Sequence, residues 1–201
     1  MPTVTALRAV AGGRRVAVDL DGRRWRTVPA DVAGRVGLWP GQELDRPALR
    51  HLGRELRRVR ALDVAAVALR HRDFSRSKLD ERLSRAGVSP SGRVEAMATL
   101  ERAGLLDDAR RAAGRAGVLA ARARGNEAIR WELEQEGIAA ELVETAISGL
   151  PPEATRAVEV IARRGRSVAT ARYLAQRGFG EDVVALAVAA PGGEDGPRSV
   201  A

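Results

Sequence analysis

One short signature, a leucine followed four residues later by glycine and then an apolar residue, recurs along the chain, and three of its copies constrain the fold more than any other feature. These three are Leu83-x-x-x-Gly87-Val88, Leu133-x-x-x-Gly137-Ile138 and Leu174-x-x-x-Gly178-Phe179, spaced by 50 and 41 residues. In each, the pattern predicts a helix of about three turns that ends at the glycine in the left-handed C′ conformation, with the next residue packing back. A further apolar helix follows every copy: Val94, Met97 and Leu100, then Val143, Ala146 and Ile147, then Val184, Ala187 and Val188. With the helix that precedes each leucine, every copy becomes a three-helix unit. A unit this small buries too little surface alone, so neighbours must stack. The expected fold is mainly α: tandem three-helix repeats forming an elongated curved array, with a small N-terminal segment containing a β-hairpin. The expected boundaries are 1–44 for the β-rich segment, 45–190 for the helical region (repeats at about 45–106, 107–150 and 151–190) and 191–201 for a disordered tail.

The β-rich segment is read from alternation. Val16, Val18 and Leu20 alternate with Ala17 and Asp19, and Trp25 and Val28 follow Asp21-Gly22. Asp-Gly between two such runs is a strong hairpin signal, because both turn positions need positive φ. Residues 3–10 can supply a third strand. Gly37, Pro40 and Gly41 then punctuate the chain, with Trp39 and Leu44 expected to pack around that turn. From Asp45 the period becomes helical. Asp45 can cap a helix whose apolar line is Leu49, Leu52, Leu56 and Val59, while Arg50, Arg54, Arg57 and Arg58 occupy its other side. That stripe is either a solvated face or an anion-facing ridge. The tail that follows residue 190 is rich in Gly and Pro and is expected not to pack.

Composition excludes several function classes. The chain has no cysteine and two histidines, His51 and His71, which removes disulfides, thiol catalysis and every zinc site that needs Cys or several His. Both histidines are expected at the surface. No signal peptide or bilayer-spanning run is visible, and the expectation is a cytoplasmic protein with no membrane partner. No phosphate-cradling glycine motif, nucleophile elbow or H-E-x-x-H occurs, so an enzymatic reading has no support. No cofactor is expected. The net charge of +8 points instead to a polyanionic or acidic partner. It is uneven: +7 over residues 1–61, +5 over 62–124 and −4 over 125–201.

At this point the chain resembles the RecX regulatory proteins, bacterial modulators of the RecA recombinase. The resemblance is carried by Ala68-Leu69, by Phe74-Ser75-Arg76-Ser77-Lys78-Leu79 with Leu83 and Gly87, and by Leu100-x-x-x-Gly104-Leu105-Leu106-Asp107-Asp108. Gly125-x-x-x-Ile129-x-x-Glu132-Leu133-x-x-x-Gly137-Ile138 continues it, with a weaker echo at Tyr173-Leu174-x-x-Arg177-Gly178-Phe179. Each piece has a physical reading. Ser75 is a helix N-cap; where the family usually closes a capping box with Glu, this chain has Lys78, which weakens the helix start by a few tenths of a kcal/mol. Asp107 and Asp108 resemble an acid–base pair but read better as caps of the helix beginning near Ala109. The aromatic residue that the family usually has after the Asp pair is missing, and Gly114 and Gly117 put the packing of that helix in doubt. Trp131, beside Arg130, could stack on a base; half-buried packing against the adjacent unit is the preferred reading.

The resemblance implies binding to RecA filaments on single-stranded DNA, with restraint of ATP hydrolysis, strand exchange and filament growth, by a monomer. Candidate contact residues are Arg54, Arg57 and Arg58, then Arg72, Arg76, Lys78, Arg82 and Arg85, then Arg122, Arg124 and Arg130. The competing reading is a helical nucleic-acid-binding protein acting on DNA directly; a helical scaffold with neither activity is a third.

Overall fold

The structure is a computed structural model of the chain and describes residues 1–70 and 73–189. His71, Arg72 and the expected tail lie outside the described residues. Three strands come first: β1 (Val4–Val10), β2 (Arg15–Leu20) and β3 (Arg23–Pro29), antiparallel in the order β1-β2-β3. Asp21 (φ 48°) and Gly22 (φ 76°) both take left-handed φ, as the two-residue turn between β2 and β3 demands. Pairing of Val16 with Ala9 and Val28, and of Val18 with Leu7, builds one apolar face. It forms a core with Val4, Ala33 and the buried Leu44.

Ala33 comes from α1 (Ala30–Val36), an element the sequence reading does not contain. Seven residues are too few to display a helical period, and no side chain caps the helix start. The expected packing of Trp39 is corrected. Leu44 is buried, but Trp39 stands 58% exposed, because the turn is anchored by backbone bonds from Gly41 N to Val4 O and from Val4 N to Gln42 O.

Nine further helices follow among the described residues, in three groups of three. These are α2 (Arg46–Leu69), α3 (Arg76–Arg85) and α4 (Pro90–Arg102), then α5 (Asp108–Ala121), α6 (Asn126–Gln135) and α7 (Ala140–Ser148). The last group is α8 (Glu153–Arg164), α9 (Val168–Gln176) and α10 (Glu181–Ala185). Asp45 caps α2, accepting from Ala48 N at 2.7 Å. The signature leucines Leu83, Leu133 and Leu174 are fully buried, one per group. After each, the glycine has φ of 72°, 73° and 77° respectively. The next residue donates its N–H back to the leucine carbonyl: Val88 to Leu83 at 3.0 Å, Ile138 to Leu133 at 3.2 Å and Phe179 to Leu174 at 3.2 Å. This is the Schellman closure, and it explains why the motif needs glycine at that place.

Each group encloses its own core. Two expected core positions are corrected: Val94 and Val188 are exposed. In α4 the buried line runs through Ala96, Met97 and Leu100, which turns Val94 outward. α10 ends at Ala185, before Val188 can join its face.

The chain divides into two compact units. One comprises Met1–Phe74 and Leu79–Leu106, and the other comprises Ser75–Lys78 and residue 107 onward. Within the second unit, the packing repeats as the sequence does. Ser75 Oγ donates to the carbonyl of Glu136 and accepts from Lys78 N at 3.2 Å. A Cβ on Gly137 would lie 2.6 Å from Ser77. At the matching positions further on, Gly125 N donates to Arg177 O (2.8 Å), Glu127 N donates to Gly178 O (3.1 Å), and a Cβ on Gly178 would lie 2.6 Å from Ala128. A Cβ on Gly125 would overlap the Gly178 carbonyl, so the backbones meet only because both residues lack side chains.

Candidate functional site

The α2 helix concentrates charge. At about 100° per residue, Arg46, Arg50, Arg54, Arg57 and Arg60 fall within an arc of about 120° and span about 21 Å of axis. Glu55 and Asp63, the acids of this helix, fall outside that arc. All five arginines are exposed. Among the described residues no carboxylate pairs with Arg46, Arg50, Arg54 or Arg57; Arg54 lies 3.5 Å from His51 Nδ1, and Arg60 reaches the Ala86 carbonyl at 3.4 Å. Arg58 is half-buried and leans 3.9 Å from Glu55, which also holds Arg35 at 3.0 Å. The structure thus places Arg54 and Arg57 on an unbalanced cationic face and Arg58 at its margin. Arg46 and Arg60, which extend the face, were legible from the same helical arithmetic.

The remaining candidates separate by partner. Arg82 and Arg122 are exposed and have no carboxylate partner among the described residues. Arg85 pairs with Glu81 at 3.5 Å and Arg124 with Glu132 at 3.7 Å. Arg130 forms a two-point pair with Glu144, at 2.6 and 3.1 Å. That hydrogen bond holds the Glu144 carboxyl below the usual carboxylate range and raises Arg130. The Arg76 amide donates to Asp108 Oδ1 at 2.9 Å. Lys78 is half-buried at the start of α3, and Arg72 lies outside the described residues.

Asp107 caps α5 as expected, accepting from Arg110 N at 2.9 Å, whereas Asp108, expected to cap the same helix, is its first residue and turns its carboxylate to α3 instead. No group of acidic, histidine or cysteine residues able to hold a metal occurs among the described residues. Trp131 is corrected: it is 63% exposed, because α6 buries Ile129 and Leu133 and turns position 131 outward. One turn to either side of it on the helix stand Glu127 and Glu134, an environment that repels phosphate.

Taken together, an N-terminal sheet, three-helix repeats closed by glycine, and a one-sided arginine face define a mainly helical repeat protein with a cationic face. Comparison with known proteins narrows this class. No protein-family model matches the chain. The curated "Regulatory protein RecX" of Chromohalobacter salexigens is 35% identical over 136 residues, covering 63% of this chain and 90% of that protein. A crystal structure of regulatory protein RecX shares the fold with a TM-score of 0.74 at 20% identity, covering 93% of this chain and 98% of that one. RecX from Lactobacillus salivarius shares it over 66% of this chain and 94% of its own, with a TM-score of 0.56 at 16% identity. The chain belongs to the RecX family of regulatory proteins. No described helix is long and apolar enough to cross a membrane.

Proposed function

We propose that the chain binds RecA filaments assembled on single-stranded DNA and slows their ATP hydrolysis, strand exchange and growth. The observation that carries this reading is membership of a family of regulatory proteins, joined to the arginine face of α2. A recombinase filament presents acidic protein surface and DNA phosphates, and a one-sided cationic helix is drawn to both. The contacts are Arg54, Arg57, Arg82 and Arg122, which no carboxylate among the described residues holds, and also Arg58, Arg76, Lys78 and Arg85. Arg124 and Arg130 contribute less, because leaving their glutamates costs part of what a new contact gains. A regulator slows turnover when it binds the restrained arrangement of neighbouring subunits more tightly than the mobile one.

The test is RecA ATP hydrolysis on single-stranded DNA with this protein titrated in. The expected result is inhibition at sub-stoichiometric amounts; full activity at equimolar protein overturns the reading. A direct DNA binder would instead bind naked DNA tightly, with a steep salt dependence from counterion release, and leave RecA untouched.

A further inference from the structure

We propose that Trp25 and the arginines beside it on β3 form a site for single-stranded nucleic acid, the indole stacking on a base while guanidinium groups hold phosphates. β3 is an edge strand, and Arg23, Arg24, Trp25 and Arg26 are all exposed on it. Val18 pairs with Arg26 while Asp19 pairs with Arg24, so Trp25 is the extra residue of a bulge. Bulges re-aim a side chain, and here a large apolar ring remains 37% exposed instead of covering the small core. The Arg26 guanidinium lies 4.6 Å from the ring centroid, which puts a fixed cation against a π-surface. That pairing is what sequence-tolerant binding of unpaired strands requires.

The charges around the ring are sorted by depth. Asp19, whose side chain is 10% exposed, holds Arg24 at 2.8 Å from one side and pairs with Arg8 of β1 from the other. One buried carboxylate therefore orders two guanidinium groups whose side chains remain more than half exposed. Asp21 is turned to the Thr3 amide at 2.9 Å. Residues 1–29 carry six arginines against these two acids, so the surface offered to solvent is cationic. Arg23, Arg24 and Arg26 crowded on one edge repel a second strand of the same kind, which disfavours pairing with another copy. A duplex hides its base faces, so an indole on this edge can stack only on an unpaired base. Trp39, more exposed than Trp25 but followed by Glu43 and flanked by no arginine, provides an internal control. The site is independent of the RecA reading, since its ligand is the strand itself.

The experiment uses the full chain without RecA. In a Trp39→Phe, Trp131→Phe protein, Trp25 is the sole indole, and oligothymidylate of about 15 nucleotides is titrated while its emission is followed. Saturable quenching is expected. In the otherwise unaltered chain, Trp25→Ala should weaken oligothymidylate binding by about 5- to 100-fold, Trp25→Phe should retain most of it, and Trp39→Ala should bind as the parent does. Unchanged emission at saturating strand, undiminished binding by Trp25→Ala, or equal quenching by a duplex or by polyglutamate each overturns the proposal. The quenching arm keeps Trp25 in place, so it decides the matter even if Trp25→Ala folds poorly.

Discussion

Arg156 is the residue whose role departs furthest from its chemistry. It is 7% exposed, yet its hydrogen bonds go to neutral oxygens: Nε to Pro151 O (3.1 Å), Nη1 to Arg124 O (2.7 Å) and Nη2 to Asn126 Oδ1. Burial lowers its pKa, and nearby Glu153 offsets this in part. A guanidinium stays protonated regardless, so the fork keeps all its donors. It ties the end of α5 and the start of α6 to the loop before α8. Arg156→Ala leaves those acceptors without a partner and should cost about 2–4 kcal/mol, seen as a lower urea midpoint. Arg156→Lys should recover little, since a single ammonium cannot reach three directions. A second residue prediction concerns Glu144. Its folded pKa is depressed by Arg130, so whatever the pair contributes is present at neutral pH and is lost as pH falls through the folded value. Carboxyl titration by NMR should place Glu144 below an ordinary glutamate, and Arg130→Gln should restore it. The caps at Asp45, Ser75 and Asp107 were legible in the sequence because capping is local. Arg156 was not, because an arginine in an amphipathic helix reads as surface until the elements that bury it are known.

At the level of elements, the leucine–glycine signature announced every helix end that it marks, since one backbone conformation demands that residue pattern. What escaped was short or depended on distant partners. α1 is one example. The outward turn of Trp131 is another, because deciding which side of α6 faces a core requires knowing where the core lies. α5 illustrates the opposite error. Gly114 and Gly117 put its packing in doubt, yet it runs unbroken over Asp108–Ala121 and buries Ala112, Ala116 and Leu119. Both glycines face outward, with nothing within 4 Å of where a Cβ would stand. Gly114→Ala and Gly117→Ala should therefore each stabilise the protein by about 0.5–1 kcal/mol, measurable as a raised thermal midpoint. Gly125→Ala should do the reverse and cost about 2 kcal/mol or more, because the new methyl group has the Gly178 carbonyl in its place.

Across the whole molecule, charge was readable from the sequence as a trend and from the structure as a face. Reversing Arg54, Arg57 and Arg58 to glutamate together removes two arginines of the α2 face and the one at its margin. Binding to RecA filaments, followed by anisotropy at several salt concentrations, should weaken, and its salt slope should drop by about 2–3. Unaltered affinity and slope would show that the ridge has no part in binding. The repeats themselves carry a different consequence. Each encloses a separate core, and the one formed by α8, α9 and α10 has six buried residues, two of them alanine. Its last helix is five residues long. Local opening should therefore cost least there, and amide hydrogens of α9 and α10 should exchange with deuterium well before those of α5 to α7. A chain assembled from small closed cores can loosen at one end while the rest keeps its shape.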